Sequence, residues 1–301
     1  MAIERACANA FVKPWGIADL RPWSWAGHDG ILIGELRYER CSTAAPEPQL
    51  MLKLLFTGQP LSIQVHPGDE YARSIGLPNG KTEAWYVLNA APGAKAALGL
   101  TRQLTPKQFR EAVDGGSIAE LVRWQDVSAN DSFHVPAGTI HAIGAGLVIA
   151  EIQQRSDATF RLFDHGRSRE LHTEHAIAAA GAGPAEIQAA PSHLTDQRTL
   201  LVSNAHFVFE RIALAAGTTW SLDAERETWL LIIAGDGTAG PVSVSAGDAI
   251  FAQSDSISLN TGPAGMVCLA AYTAGGQLPQ LQQHLSNAHI PPASRQLEHT
   301  P

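Results

Sequence analysis

The chain has little cysteine: three residues in 301, Cys7, Cys41 and Cys268, with no Cys-x-x-Cys pair among them. That spacing argues against a zinc knuckle or a disulfide framework and leaves the expectation of reduced, buried or incidental thiols. Positive charge is also scarce, with 21 Lys and Arg against 29 Asp and Glu and a net charge of −8. A general nucleic-acid or anionic-membrane binder needs the opposite balance, so neither partner is expected. A phosphate group could be held only where Lys and Arg are locally concentrated. No apolar run is long enough to span a bilayer, and the first residues lack the basic start and continuous apolar core of a signal peptide. A cytoplasmic protein is the resulting expectation. The sequence is silent on oligomeric state.

What is present is apolar. A hydrophobic content of 45% with 17% charged residues describes a globular chain, long enough for one large domain or two ordinary ones. Strand signals dominate. Ile31 to Leu36 and Met51 to Phe56 are β candidates, separated by a loop from Thr43 to Pro48. Trp15, Trp23 and Trp25 cluster near the start, where packing onto the domain is the expected role and sugar stacking the alternative. Residues 104–124 change period. Thr105-Pro106 spells an N-cap and first helical residue, and Phe109, Ala112 and Val113 recur at helical spacing as far as Gly115-Gly116. A second short helix is expected to carry Ile118, Leu121 and Val122 on one face. The strand pattern resumes from Asn130 to Arg161. Residues 176–192, Ala-rich with Gly181, Gly183, Pro184 and Pro191, read as a linker or crossover. A second β-rich block fills 199–273, and 276–301 form a tail without periodicity.

Two places carry chemistry. In Val135-Pro136-Ala137-Gly138-Thr139-Ile140-His141 a tight turn joins two strands and leaves an imidazole on the second. Upstream, Ser62-Ile63-Gln64-Val65-His66-Pro67 puts Gln64 and His66 two residues apart, on one side of a strand. Glu83, in Lys81-Thr82-Glu83, opens the strand-like run Trp85-Tyr86-Val87-Leu88. One glutamine, two histidines and one glutamate can therefore converge on one point. Spacing alone leaves the alternative of hydrogen-bonded core histidines open.

These strings, with Gly80 to Tyr86 and Glu151-Ile152-Gln153-Gln154-Arg155-Ser156-Asp157-Ala158-Thr159-Phe160-Arg161-Leu162-Phe163-Asp164, closely resemble the type I mannose-6-phosphate isomerases, in the family's order and spacing. The strong resemblance covers roughly residues 50–175. It implies a mainly β fold of two cupin-like β-barrels (double-stranded β-helix) with a small helical insert in the first. The expected division is a metal-binding catalytic barrel over 1–185, with the insert at about 104–124. A second, metal-free barrel over 186–275 and a tail over 276–301 follow. The second-block piece Ser245 to Phe251 resembles Ser128 to Val135, but the turn after it reads Ser254-Asp255-Ser256 in place of Pro-x-Gly-x-x-His.

The resemblance implies zinc-dependent interconversion of mannose 6-phosphate and fructose 6-phosphate by proton transfer through an enediol, with one Zn2+ per chain. It assigns Gln64, His66, Glu83 and His141 as the metal ligands. Two nitrogens and two oxygens favour zinc without excluding manganese, cobalt or iron. Lys81 and Arg161 become active-site cations by the same resemblance. Read as residues alone, Lys81 is a solvated loop lysine and Arg161 an ion-pair partner of Asp164 or Asp157. A cation beside Lys81 should lower its pKa. Longer members of the family carry His before this Lys and Pro after it; here Gly80 and Thr82 stand there, as in the shorter bacterial branch. Glu151 is a candidate acid or base, with a structural salt bridge as its alternative. Ser62, which shares strand parity with Gln64, and Lys53, which interrupts an apolar strand and so calls for an anion, are the candidates for phosphate binding. A cupin oxygenase and a non-catalytic sugar-binding protein are the competing readings. The former would not need Lys81 and Arg161, and the latter would be marked by loss of a ligand or of Arg161.

Overall fold

In the strand Leu50–Thr57 every residue is buried, and its two faces meet different surroundings. Leu50, Leu52, Leu54 and Phe56 enter a core shared with Phe207, Phe209, Trp229 and Leu231 of the later β block. Lys53 and Leu55, on the other face, line a cavity. The period of two that makes this possible recurs in Glu83–Ala90, where Ala84 and Tyr86 join the shared core while Trp85 and Val87 point the other way. Each large side chain buried in this way contributes roughly 1.5–3 kcal/mol. The two β blocks are thus held together by apolar packing, with polar pairs fixing only details.

The computed structural model describes residues 3–26, 30–41, 46–275 and 278–284. The protein is mainly β. One 15-stranded sheet runs through both blocks, and a 5-stranded sheet packs on its first part. The smaller sheet consists of Phe160–Phe163, Ile63–Val65, His141–Ile143, Lys95–Leu100 and Val122–Asp126. Leu98 and Ile143 from this sheet meet Leu55, Trp85 and Ile149 from the larger one in a core of their own. The strand Ile3–Ile17 joins the blocks: Ile3 to Arg5 pair with Ala252 to Ile250, and from Ala6 onward it pairs with Ile33–Arg40.

The helix Pro106–Asp114 begins as expected. Thr105 Oγ1 accepts the Gln108 N–H at 3.3 Å, and Gln108 Oε1 accepts the Thr105 N–H at 3.0 Å. The second helix, Ile118–Leu121, is shorter than expected, because Val122 already opens the strand Val122–Asp126 that pairs with Lys95–Leu100. The Ala-rich stretch is not all linker: Thr173–Ala179 is a helix with Ala176 buried against Phe160 and Leu162. Part of the expected tail is also ordered, as the strand Leu281–His284 on Thr219–Ala224. Residues 43–45 of the early loop, and 276–277 and 285–301 of the tail, lie outside the described residues.

The cysteine expectation is overturned for two of the three. Cys7 and Cys41 form a disulfide, their Cα atoms 5.3 Å apart. Ala6 pairs with Arg40 across neighbouring antiparallel strands, which brings together two cysteines 34 residues apart in sequence. Cys268 is free and buried. Among the described residues no helix is long and apolar enough to cross a membrane.

Candidate metal centre and cavity

Three short strands of the smaller sheet lie side by side, and their register places Arg161 opposite Gln64 and Gln64 opposite His141. Directly opposed residues share a face, so all three point the same way. His66 follows the strand Ile63–Val65, and Glu83 opens Glu83–Ala90 in the larger sheet. The turn Pro136 to Gly138 ties these pieces together. Gly138, at a φ of +86° that favours glycine, donates its N–H to His66 O at 2.8 Å. Ala137 donates its own to Thr82 Oγ1 at 3.2 Å.

His66, Glu83 and His141 are each 1% exposed, and the two imidazole rings lie 4.7 Å apart. His66 Nδ1 donates to Ala158 O at 2.7 Å and His141 Nδ1 to Thr139 O at 2.9 Å. With each Nδ1 proton committed to a carbonyl, both Nε2 atoms present lone pairs: His66 Nε2 accepts from Lys81 Nζ at 3.1 Å and lies 3.3 Å from Glu83 Oε2, and His141 Nε2 lies 3.5 Å from Oε1. Burial, reinforced by Lys81, pushes the His66 pKa down to about 3. Burial lowers that of His141 too, so both rings are neutral at neutral pH. Glu83 is held well below the usual carboxylate range; burial opposes ionisation, but Lys81, with Nζ 3.1 Å from Oε2, together with His66 and His141 outweighs it. Trp85 Nε1 donates to Glu83 Oε1 at 2.9 Å and fixes the carboxylate plane.

This donor set fits a divalent cation. Two neutral imidazoles with committed Nδ1 protons meet an ionised, buried carboxylate whose Oε2 accepts no well-aligned hydrogen bond. The nitrogen and oxygen atoms of the three residues lie within 4.8 Å of one another. Gln64 joins them at the edge, its Nε2 3.2 Å from His141 Nε2 and its Oε1 accepting from Ser62 Oγ at 2.9 Å. A ligating glutamine must present its oxygen, so a metal requires the opposite amide orientation.

Gln64, and Lys81 beside Glu83, open onto a cavity of about 500 Å³. Six cationic side chains line it against three carboxylates, a local reversal of the protein's overall negative charge. Lys81 and Glu151 both reach it. Burial would lower the Lys81 pKa, but Glu83 and Glu151 outweigh burial and hold it above the ordinary lysine value. The protein's own groups therefore do not produce the depressed lysine. Burial, with Glu83 nearby, raises the Glu151 pKa although Lys53 and Lys81 oppose this. Lys53 finds its anions within the chain. Its Nζ is 3.4 Å from Glu151, 3.6 Å from Glu35, and donates to Gln153 Oε1 at 2.6 Å. Ser62 is 2% exposed and does not itself line the cavity, but donates to Gln64, which does.

Arg161 lines the cavity, and the carboxylates expected to pair with it are engaged elsewhere. Asp164 binds Arg167 and Arg169, and Asp157 binds Arg37 at 3.0 Å. Among the described residues Arg161 makes no ion pair, its buried Nε has no hydrogen-bond partner, and burial together with Arg169 lowers its pKa. Gly80 explains the missing histidine before Lys81: a Cβ there would lie 2.6 Å from Pro67 O and 2.7 Å from Asp69 N.

Trp15, Arg37, Arg169 and His172 also line the cavity, and the sequence did not single out the last three. Trp15 is 8% exposed, with the Arg169 guanidinium 4.9 Å from the ring centroid, so it both packs and faces the cavity. Trp25, by contrast, is 71% exposed. Arg37 could have been found from its parity with Glu35. Arg169 and His172 lie in a loop with no periodicity to read, where the basic run Arg167-Ser168-Arg169 was the one visible signal.

No family model matches the chain. It is 36% identical over 176 residues to the mannose-6-phosphate isomerase ManA of Bacillus subtilis, a match covering 56% of this chain and 52% of that protein. It is 39% identical over 168 residues to the mannose-6-phosphate isomerase of Streptococcus mutans, covering 52% of each. The matched part thus spans about half the length of these curated relatives. The structure superposes on that of the mannose 6-phosphate isomerase from Bacillus subtilis with a TM-score of 0.77 and 22% identity, over 90% of this chain and 100% of the other. A mutant form of phosphomannose isomerase from Salmonella typhimurium gives a TM-score of 0.71 at 15% identity, over 90% and 99%. These structures share the cupin-type, mainly β fold of this chain.

Proposed function

We propose that this protein is a metal-dependent aldose–ketose isomerase that interconverts mannose 6-phosphate and fructose 6-phosphate. One observation carries the reading. Two neutral imidazoles and a single buried carboxylate come together beside a cationic cavity that Gln64 and Lys81 line, and in which the Arg161 side chain makes no ion pair among the described residues. The sequence similarity to named mannose-6-phosphate isomerases supplies the substrate. In this reading Gln64, His66, Glu83 and His141 hold one zinc ion, favoured by a set of two nitrogens and two oxygens with no thiolate. The catalytic part falls within residues 1–185, with 186–275 as a second unit, and a cytoplasmic location belongs to the proposal.

The reaction takes a proton from C2 of the aldose and forms the C1–C2 double bond of an enediol as O1 takes up a proton; a proton then returns to C1 while the O2 hydroxyl gives up its own and becomes the ketose carbonyl. Bound zinc would polarise the sugar carbonyl and hold its oxygens. Glu151, with its raised pKa, is the group best poised to accept and return the proton. Lys81 stays an ammonium among the protein's own groups and offsets negative charge as it develops on the sugar oxygens. Arg161 does the same with a fixed fork of donors. Lys53, and Ser62 through Gln64, complete the substrate-binding set proposed from the sequence. The structure ties both to protein partners; Arg169, itself paired with Asp164, is a further cation that lines the cavity. The test is turnover of mannose 6-phosphate in a coupled assay that detects fructose 6-phosphate, with zinc supplied. Zinc-loaded, folded protein that produces no ketose would overturn the proposal.

A further inference from the structure

The spelling Glu-x-Trp occurs in both β blocks, as Glu83-Ala84-Trp85 and Glu227-Thr228-Trp229. Each unit makes the same local bond, from the indole N–H to its own glutamate: 2.9 Å in the first and 3.1 Å in the second. The faces differ. Glu83 and Trp85 point into the first block, whereas Trp229 belongs to the core shared between the blocks. Glu227 therefore reaches across to the first block. It is 4% exposed, and its two oxygens accept the backbone N–H of Gln49 at 2.6 Å and of Leu50 at 2.8 Å. A buried carboxylate satisfied by three donors, two of them from another sheet region, is an expensive contact if its only task is adhesion, which the apolar core already provides.

From Gln49 and Leu50 the hydrogen bonds continue toward the candidate metal centre. Gln49 O accepts the Arg155 N–H at 2.8 Å. The adjoining Gln154 holds Thr82 twice, donating its own N–H to Thr82 O at 3.0 Å and accepting the Thr82 N–H on Oε1 at 2.9 Å. Thr82 stands between Lys81 and Glu83. We infer that Glu227 is a positioning residue for the Lys81–Glu83 turn: the second β block sets the place of the metal-binding carboxylate and its lysine through Gln49, Leu50 and Gln154. This rests on the proposed metal centre and extends it, and it gives the second block a task in the site.

The test compares Glu227→Gln with Glu210→Gln in the full chain. Glu210 is a buried carboxylate of the second block, bound to Arg198 and Tyr272 and, among the described residues, without a side-chain bond to the first block's site, so it controls for general loss of stability. The readouts are melting temperature, Zn2+ affinity by calorimetry, hydrogen exchange of peptides covering 79–83, and kcat and KM for mannose 6-phosphate. Glu227→Gln is expected to weaken Zn2+ binding about tenfold, to speed exchange over 79–83, and to lower kcat with KM within about twofold. Glu210→Gln is expected to lower the melting temperature and leave the other readouts at the wild-type level. Trp229→Phe keeps the ring and removes one donor to Glu227, so it should give the Glu227→Gln pattern at smaller size, even should the latter fold poorly. Unchanged Zn2+ affinity and 79–83 exchange in Glu227→Gln or Trp229→Phe, or the same change in Glu210→Gln, overturns the inference. Wild-type protein that binds Zn2+ but does not isomerise the sugar overturns the proposed activity instead, and leaves the affinity and exchange results to decide this point.

Discussion

Arg161→Ala separates a catalytic arginine from a structural one. The structural role requires a carboxylate partner, and the two that the sequence offered, Asp164 and Asp157, are bound to Arg167, Arg169 and Arg37. The nearest strong influence on Arg161 besides its burial is another cation, Arg169, and removing one of two like charges relieves repulsion. Loss of the guanidinium should therefore change stability by no more than about 0.5–1 kcal/mol. Transition-state stabilisation is another matter. One preorganised donor aimed at developing oxyanion charge is worth on the order of 3 kcal/mol, or about a hundredfold in rate. Arg161→Lys keeps the charge and loses the fork, so it should also be strongly impaired. The assay is turnover of mannose 6-phosphate per folded molecule, with a melting curve and metal stoichiometry for each variant. Metal content should stay at the wild-type level, since arginine is not a ligand. A sharp fall in melting temperature with turnover unchanged would refute the argument and make Arg161 a structural residue.

Purified protein should hold about one divalent ion per chain; chelation should abolish turnover and zinc restore it, and His141→Ala should lose metal and activity together. Full activity in metal-depleted protein would count against the metal centre. Turnover in deuterated water should place deuterium on C1 or C2 of the product and proceed without oxygen; oxygen consumption with no isomerised sugar would point to oxygenase chemistry. Glu35 predicts a pH dependence of stability. Burial opposes its ionisation, yet Lys53, Lys13 and Arg37 hold its pKa at about 2 against an ordinary 4.5. A depressed carboxyl stabilises the fold above its unfolded pKa, so this contribution, on the order of 3 kcal/mol, is present above about pH 4.5 and lost as pH falls through about 2. Wild type and Glu35→Gln should therefore differ in melting temperature at pH 6 and converge near pH 2; a gap that stays constant across that range would rule out the charge network as its source.

The candidate centre was legible in sequence because its spacing is local. Gln64 and His66 share a strand face by the rule of two, His141 follows a Pro-x-Gly turn, and Glu83 opens a strand. The same holds for the helix at Pro106, whose capping residues are three apart. What escaped depends on which strands become neighbours. The Cys7–Cys41 bridge needs the pairing of Ile3–Ile17 with Ile33–Arg40, and the internal anions of Lys53 need Glu35 and Glu151 on the strands at either side. A bound anion was the reasonable inference from a lone lysine in an apolar run, because no sequence pattern announces the partner across a sheet. Arg169 and His172 arrive on an irregular loop that no periodicity describes.

The strand Ile3–Ile17 has a further consequence, for the order of events in synthesis. Its middle and end find partners in Ile33–Arg40 as soon as the next strand has been made, but Ile3 to Arg5 must wait for Ile250 to Ala252. A seam between strands about 250 residues apart is a contact of very long sequence separation, whose loop-closure entropy is recovered only once Ala249–Ala252 has been made. During translation the first block can therefore fold while one edge of its opening strand is still bare, an open template for another chain. Pulse-labelled hydrogen exchange on refolding protein should accordingly protect the amides of Ile33–Arg40 before those of Ile3 to Arg5, with simultaneous protection arguing for a single cooperative unit.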